Sequence, residues 1–125
     1  MKTLNKFLQY MLGLILLLYA LNKFFQFMPV PEMRREAVSF YSSLVNTGYI
    51  MPVVAVFEIL VSLALFSGRY IALAMAVLFP LSLNFVFFHL FLDPPNIIPA
   101  LLTLGLNVYF LFRYRRAYRE LLLPR

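Results

Sequence analysis

Five polar side chains interrupt otherwise apolar runs of this chain: Lys23, Glu58, Asn84, His89 and Asn107, with Asn22 beside the first. Lysine, histidine and asparagine donate hydrogen bonds, and a carboxylate accepts them or takes up a proton. Such a set could grip a carbonyl-bearing molecule or relay protons. The sequence holds no nucleophile–base pair, metal-ligand set or phosphate-binding loop. With no cysteine, a disulfide framework, a Cys-x-x-Cys redox pair, Cys-ligated iron–sulfur clusters and thioether-linked haem are all excluded. His89 is the single histidine, which rules out a bis-histidine haem within one subunit and leaves only a weak metal site with one carboxylate. These residues argue against a self-contained enzyme.

The elements that must carry them are set by composition. The chain is 63% hydrophobic and 13% charged, whereas a soluble domain carries about 25% charged residues. So little polar surface cannot solvate a globule in water, and the class implied is an integral membrane protein. The 125 residues suit one domain. The net charge of +6 is concentrated near the chain ends beside apolar segments. It therefore reads as membrane flanks, with no nucleic-acid partner.

Four apolar segments are expected to span: about 8–28, 50–66, 70–92 and 97–112. The first follows Lys2 and Lys6 but lacks a cleavage site, so it reads as an uncleaved span. The second and fourth are short for the roughly 20 residues a span requires. The tight turns "SGR" and "DPPN" make consecutive helices antiparallel. Between the first two spans, residues 31–46 place Ala37, Tyr41 and Leu44 at helical spacing, which predicts an amphipathic helix on the outer membrane surface. Pro31 suits its first turn, with Glu32 and Glu36 near the positive end. The predicted fold is all-α: a membrane-embedded antiparallel four-helix bundle with an interfacial helix. With the N-terminus inside, eight basic residues (Lys2, Lys6, Arg69, Arg113, Arg115, Arg116, Arg119, Arg125) lie on the cytoplasmic side and only Arg34 and Arg35 opposite. Both termini are therefore expected in the cytoplasm.

At about 1.5 Å per residue, Lys23 then lies roughly 7–8 Å below the outer surface, Glu58 and Asn84 about 12 Å, His89 about 4–5 Å and Asn107 about 15–16 Å. All four spans thus contribute a polar group to the outer half, and the inner half is read as having none comparable. Taken singly, Lys23 reads as a residue snorkelling to the interface, His89 as interfacial, and Asn84 and Asn107 as interhelical glue. Glu58 resists such a reading, because its short stem cannot reach water from that depth. It must be protonated, paired or set in a wet cavity. The expectation is a Lys23–Glu58 ion pair surrounded by Asn84 and His89, with Pro80 bending the third span to open space beside it.

The stretch from Thr47 to Pro94 resembles the DoxX and DoxX-like membrane proteins of bacteria. The matching pieces are Asn22-Lys23 in "LNKFFQFMPVP", the "TGY" and proline before Glu58-Ile59, and "P…N….FHLFLDP" from Pro80 to Pro94. Many relatives carry a glycine after the Glu-Ile pair where this chain has Ser62, a small substitute. The resemblance implies a four-helix bundle in the bacterial cytoplasmic (inner) membrane. It also implies a role as accessory subunit in redox assemblies, with other redox subunits as partners besides the lipid bilayer. No cofactor is established by these residues, although a quinone would suit the donors.

Three functions are compatible with this reading. The first is a non-catalytic subunit of a membrane redox assembly whose polar pocket binds a quinone or similar molecule. The second is a structural anchor or assembly factor without ligand. The third is a small-molecule or proton carrier, which the lack of an internal repeat disfavours.

Overall fold

The computed structural model describes residues 2–27 and 32–124. Among them the chain is all-helical, with five α-helices: α1 (Lys2–Phe25), α2 (Arg35–Asn46), α3 (Ile50–Ser67), α4 (Ile71–Leu92) and α5 (Ile98–Arg113). Three of these, α1, α3 and α4, are long and apolar enough to cross a membrane, while α5 is a shorter apolar helix. Their outward faces carry exposed leucine, valine and phenylalanine, among them Leu14, Leu18, Phe57, Leu60, Leu63 and Leu73. Water would penalise such a surface and hydrocarbon would not.

Helix α1 begins earlier than the apolar stretch, at Lys2, because hydropathy marks the greasy zone and not the hydrogen-bonded helix. It stops where Gln26 turns to φ 51° and its N–H returns to the Asn22 carbonyl, a left-handed C-terminal cap. The expected end at Met28 and the expected first turn at Pro31 both fall outside the described residues. Helix α2 starts at Arg35, so Glu32 precedes it and only Glu36 lies in its first turn. Gly68, at φ 74°, closes α3 with its N–H on the Ala64 carbonyl, a conformation that suits a residue without Cβ. A 3-10 turn at Pro94–Asn96 links α4 to α5.

Helix α1 packs along α3, α3 along α4 and α4 along α5, while a smaller contact joins α5 to α1. Leu12, Leu16, Val61, Leu65, Met75, Leu78, Leu106 and Phe110 fill the space between them. Helix α2 touches α3 and α4. It buries Ala37 and brings the Phe40 ring 5.8 Å from that of Phe88. Of the apolar side that its periodicity predicted, Ala37 is buried and Leu44 half-buried against protein, while Phe40, Tyr41 and Val45 stay exposed.

Polar bonds clip these apolar seams. Ser62 Oγ donates to the Gly13 carbonyl of α1 at 3.0 Å, and Gln9 Nε2 donates to the Leu65 carbonyl at 2.6 Å. The latter satisfies one of the carbonyls that the end of α3 leaves without a helical partner. Tyr109 of α5 donates its hydroxyl to Asn5 Oδ1 of α1. Gln9, at the start of the expected first span, corrects the expectation that the inner half of the spans has no comparable polar group, while Asn5 precedes that span. Both lie in the part of α1 that precedes or opens the apolar run, where a polar residue gives no signal in the sequence.

After α5, a 3-10 turn at Arg115–Tyr118 brings the Tyr118 hydroxyl to the Ala72 carbonyl at 2.6 Å. Burial pushes the Tyr118 phenol above its ordinary value. A raised pKa means that the docked state favours the protonated phenol. Its contribution is thus complete below the unfolded tyrosine range and is lost as pH rises through the folded value. Tyr118→Phe is expected to loosen this segment by about 1 kcal/mol and to remove its alkaline opening. Hydrogen exchange of residues 115–123 across alkaline pH would show both effects, and an unchanged pH profile in the variant would count against the tyrosine.

Candidate functional site

The end of the molecule nearest α2 contains a cavity of about 710 Å³. It is lined from every helix: Tyr19 and Lys23 of α1, Phe40, Tyr41 and Leu44 of α2, Val54 and Glu58 of α3, Asn84, Phe85, Phe88 and His89 of α4, and Ala100 and Thr103 of α5. Helical spacing explains the convergence. Ala55, Glu58 and Ser62 recur on the buried face of α3, and Ala100, Thr103 and Asn107 on that of α5. Small residues on those faces let the backbones approach.

Lys23 and Glu58 meet within this lining, with Nζ 2.7 Å from Oε1. Lysine in the last turn of α1 also sits favourably against the negative end of the helix dipole. The burial is unequal: the Lys23 side chain is 15% exposed and that of Glu58 is 0% exposed. Glu58 Oε2 has no hydrogen-bond partner among the described residues. Lys23 also lies 5.9 Å from the centre of the Phe85 ring, within range of a cation–π attraction. Both residues line the cavity, and Lys23 is the more exposed member of the pair.

Asn84 lines the cavity, but its Nδ2 donates to the Pro80 carbonyl of its own helix at 2.8 Å. Asn84 shares the cavity with the ion pair, but this bond stays within α4 and does not make it the interhelical glue it resembles when taken singly. A short amide side chain readily reaches the carbonyl one turn back. Helix α4 runs unbroken through Pro80. Asn22 is half-buried one position before Lys23, and its carbonyl accepts the Gln26 N–H.

Asn107 lies apart from the cavity. Fully buried, it accepts from Ser82 Oγ at 2.8 Å and donates to the Met75 carbonyl at 3.1 Å, tying α5 to α4. Asn107→Ala is expected to cost about 1–2 kcal/mol, as interhelical polar contacts in membranes do, and to leave occupancy of the cavity unchanged. Detergent unfolding with a parallel ligand-binding measurement would check this.

His89 also lines the cavity, with Nδ1 3.6 Å from Asp93 Oδ2 and the ring edge-on to Phe88. Asp93 read in the sequence only as a helix stop. The structure buries it to 1% exposure, with the Asn96 amide on Oδ2 at 2.8 Å. That amide also donates to the Glu32 carbonyl at 2.9 Å, fastening the segment before α2 to the turn after α4. A buried aspartate at a helix terminus has no signal in the sequence, because exposed aspartates end helices just as often.

The arrangement offers a cavity walled by aromatic and aliphatic side chains, with the Lys23 ammonium and the His89 imidazole in its lining. It can hold a molecule that combines an apolar body with a hydrogen-bond acceptor. Compared with protein-family models, with curated proteins and with solved structures, the chain matches none of them.

Proposed function

We propose that this chain is a multi-pass protein of the bacterial inner membrane that binds a quinone or a similar small amphipathic molecule, as an accessory subunit of a membrane redox assembly. In this reading α1, α3, α4 and α5 cross the bilayer as a four-helix bundle with both termini in the cytoplasm. The shorter α5 is extended to the interface by Arg113 and Tyr114. Helix α2 rests at the outer surface and covers the cavity. The likeness to DoxX-like proteins supports the same assignment.

The observation that carries the reading is Lys23, held in the lining of a largely apolar cavity by a carboxylate with no solvent-exposed surface. An ammonium has three N–H groups, and among the described residues one of them is given to Glu58. The others suit a carbonyl oxygen, and about 710 Å³ falls within the range of small-molecule sites. Mass spectrometry of gently purified protein is expected to find a bound quinone, or to detect uptake of an added short-chain quinone. Reproducible absence of both would overturn the reading.

A second reading, an anchor or assembly factor without ligand, is favoured by the polar side chains spent on packing: Ser62 on Gly13 and Asn107 on Ser82 and Met75. Partner proteins that stay bound when Glu58 is neutralised would support it.

A further inference from the structure

The geometry points to Glu58 as the residue that restricts the cavity to uncharged acceptor-bearing molecules and turns anionic amphiphiles away. This rests on the cavity being a ligand site, as proposed above. A lone lysine in the lining of an apolar chamber would be a trap for anions: fatty carboxylates and phosphate headgroups combine a negative charge with an apolar tail. In this chain the lysine is already neutralised, since Glu58 Oε1 is 2.7 Å from Nζ. The carboxylate is fully buried, so solvent does little to screen it.

A second carboxylate acts in the same direction. Asp93 is also buried, with Oδ2 3.6 Å from His89 Nδ1. Among the described residues Lys23 is thus the one fixed cation of the cavity lining, with Glu58 in that lining and Asp93 next to it. An entering anion would meet a site with no positive charge to spare and would have to give up its own hydration. A neutral carbonyl loses far less on leaving water and still gains the remaining Lys23 N–H groups. Recognition of this kind is set by what the site refuses as much as by what it holds. The two roles in the pair are therefore different. Lys23 touches the ligand, and Glu58, paired to it and without solvent-exposed surface, sets the charge of the ligand that Lys23 accepts.

The test is a competition in nanodiscs of zwitterionic lipid. The full chain is offered an equimolar mixture of a decyl-substituted benzoquinone, dodecanoate and methyl dodecanoate, and occupancy is read by native mass spectrometry. The methyl ester keeps the tail and carbonyl of the acid without its charge. Wild-type protein is expected to prefer the quinone and the ester over dodecanoate by at least about tenfold, equivalent to about 1.4 kcal/mol. In Glu58→Gln the freed ammonium should shrink or reverse that preference. In the Lys23→Met/Glu58→Leu double variant, neutral binding should weaken with no gain for the acid. Equal uptake of acid and ester by the wild type would overturn the inference while leaving the cavity a ligand site. So would an unchanged preference in Glu58→Gln. If the wild type takes up none of the three, both the ligand site and this selectivity fall. Where a variant does not fold, the wild-type competition can still overturn the inference, and the remaining variant carries the assignment to Glu58.

Discussion

Lys23→Met is expected to destabilise the protein by about 3–5 kcal/mol, because it strands a fully buried carboxylate. Glu58→Gln should cost less, about 1–3 kcal/mol. The partly exposed lysine it leaves behind can lift its head toward the interface, and the glutamine still offers it an oxygen. The asymmetry follows from burial alone: the member deeper in the protein has the fewer alternatives once its partner is gone. The Lys23→Met/Glu58→Leu double variant should lie close to wild type, since an apolar pair of similar volume removes both burial costs at once. Unfolding in mixed micelles would provide the three values. Additive losses, with the double variant as damaged as the two singles combined, would mean that the two side chains do not stabilise one another.

The second large effect concerns the α1–α3 seam, the most extensive helix contact in the molecule. Gly13→Leu is expected to cost about 3 kcal/mol and to break the bond from Ser62 to the Gly13 carbonyl. A Cβ at this position would lie 3.2 Å from Phe66 Cζ and 3.4 Å from Leu65 Cβ. Those distances separate two cases. The Phe66 ring is partly exposed and can swing aside for one methyl group. Gly13→Ala should therefore be near neutral, with the gain in helix propensity of about 1 kcal/mol offsetting the strain. A leucine needs room that only separation of the helices provides. Comparison of the two variants by thermal unfolding distinguishes a seam that depends on close approach from one that merely tolerates it. Equal, small effects would show that the seam does not require a glycine.

The ion pair was legible in the sequence because a lysine and a glutamate are each costly within apolar runs and each removes much of the other's cost. The roles of small residues such as Ser62 and Ala55 were legible for a similar reason, since they share a helical face with Glu58. What periodicity does not encode is the target of each face. Helix α2 has one apolar side, and nothing in its spacing distinguishes a lipid surface from the rings of α4. Asn84 could reach either across the cavity or down its own helix, and an amide has the same signature in both cases. Asn5, Gln9 and Tyr109 bind one another or the backbone from positions where polar residues are commonplace. Asp93 was hidden by the most ordinary role of aspartate, ending a helix. The residues that stood out were those whose isolation would be expensive, and the residues missed were those that are cheap anywhere in the chain.

The ion pair also has a history within each molecule. Lys23 and Glu58 are separated by 35 positions, and a chain is synthesised at about 5–20 residues per second. For about 2–7 seconds, therefore, the first helix must exist with its lysine in place and no acid to meet it. A side chain so near the helix end can spend that interval at the membrane surface. In the membrane arrangement proposed above, the depth at which α1 settles would then depend on whether α3 follows it with Glu58.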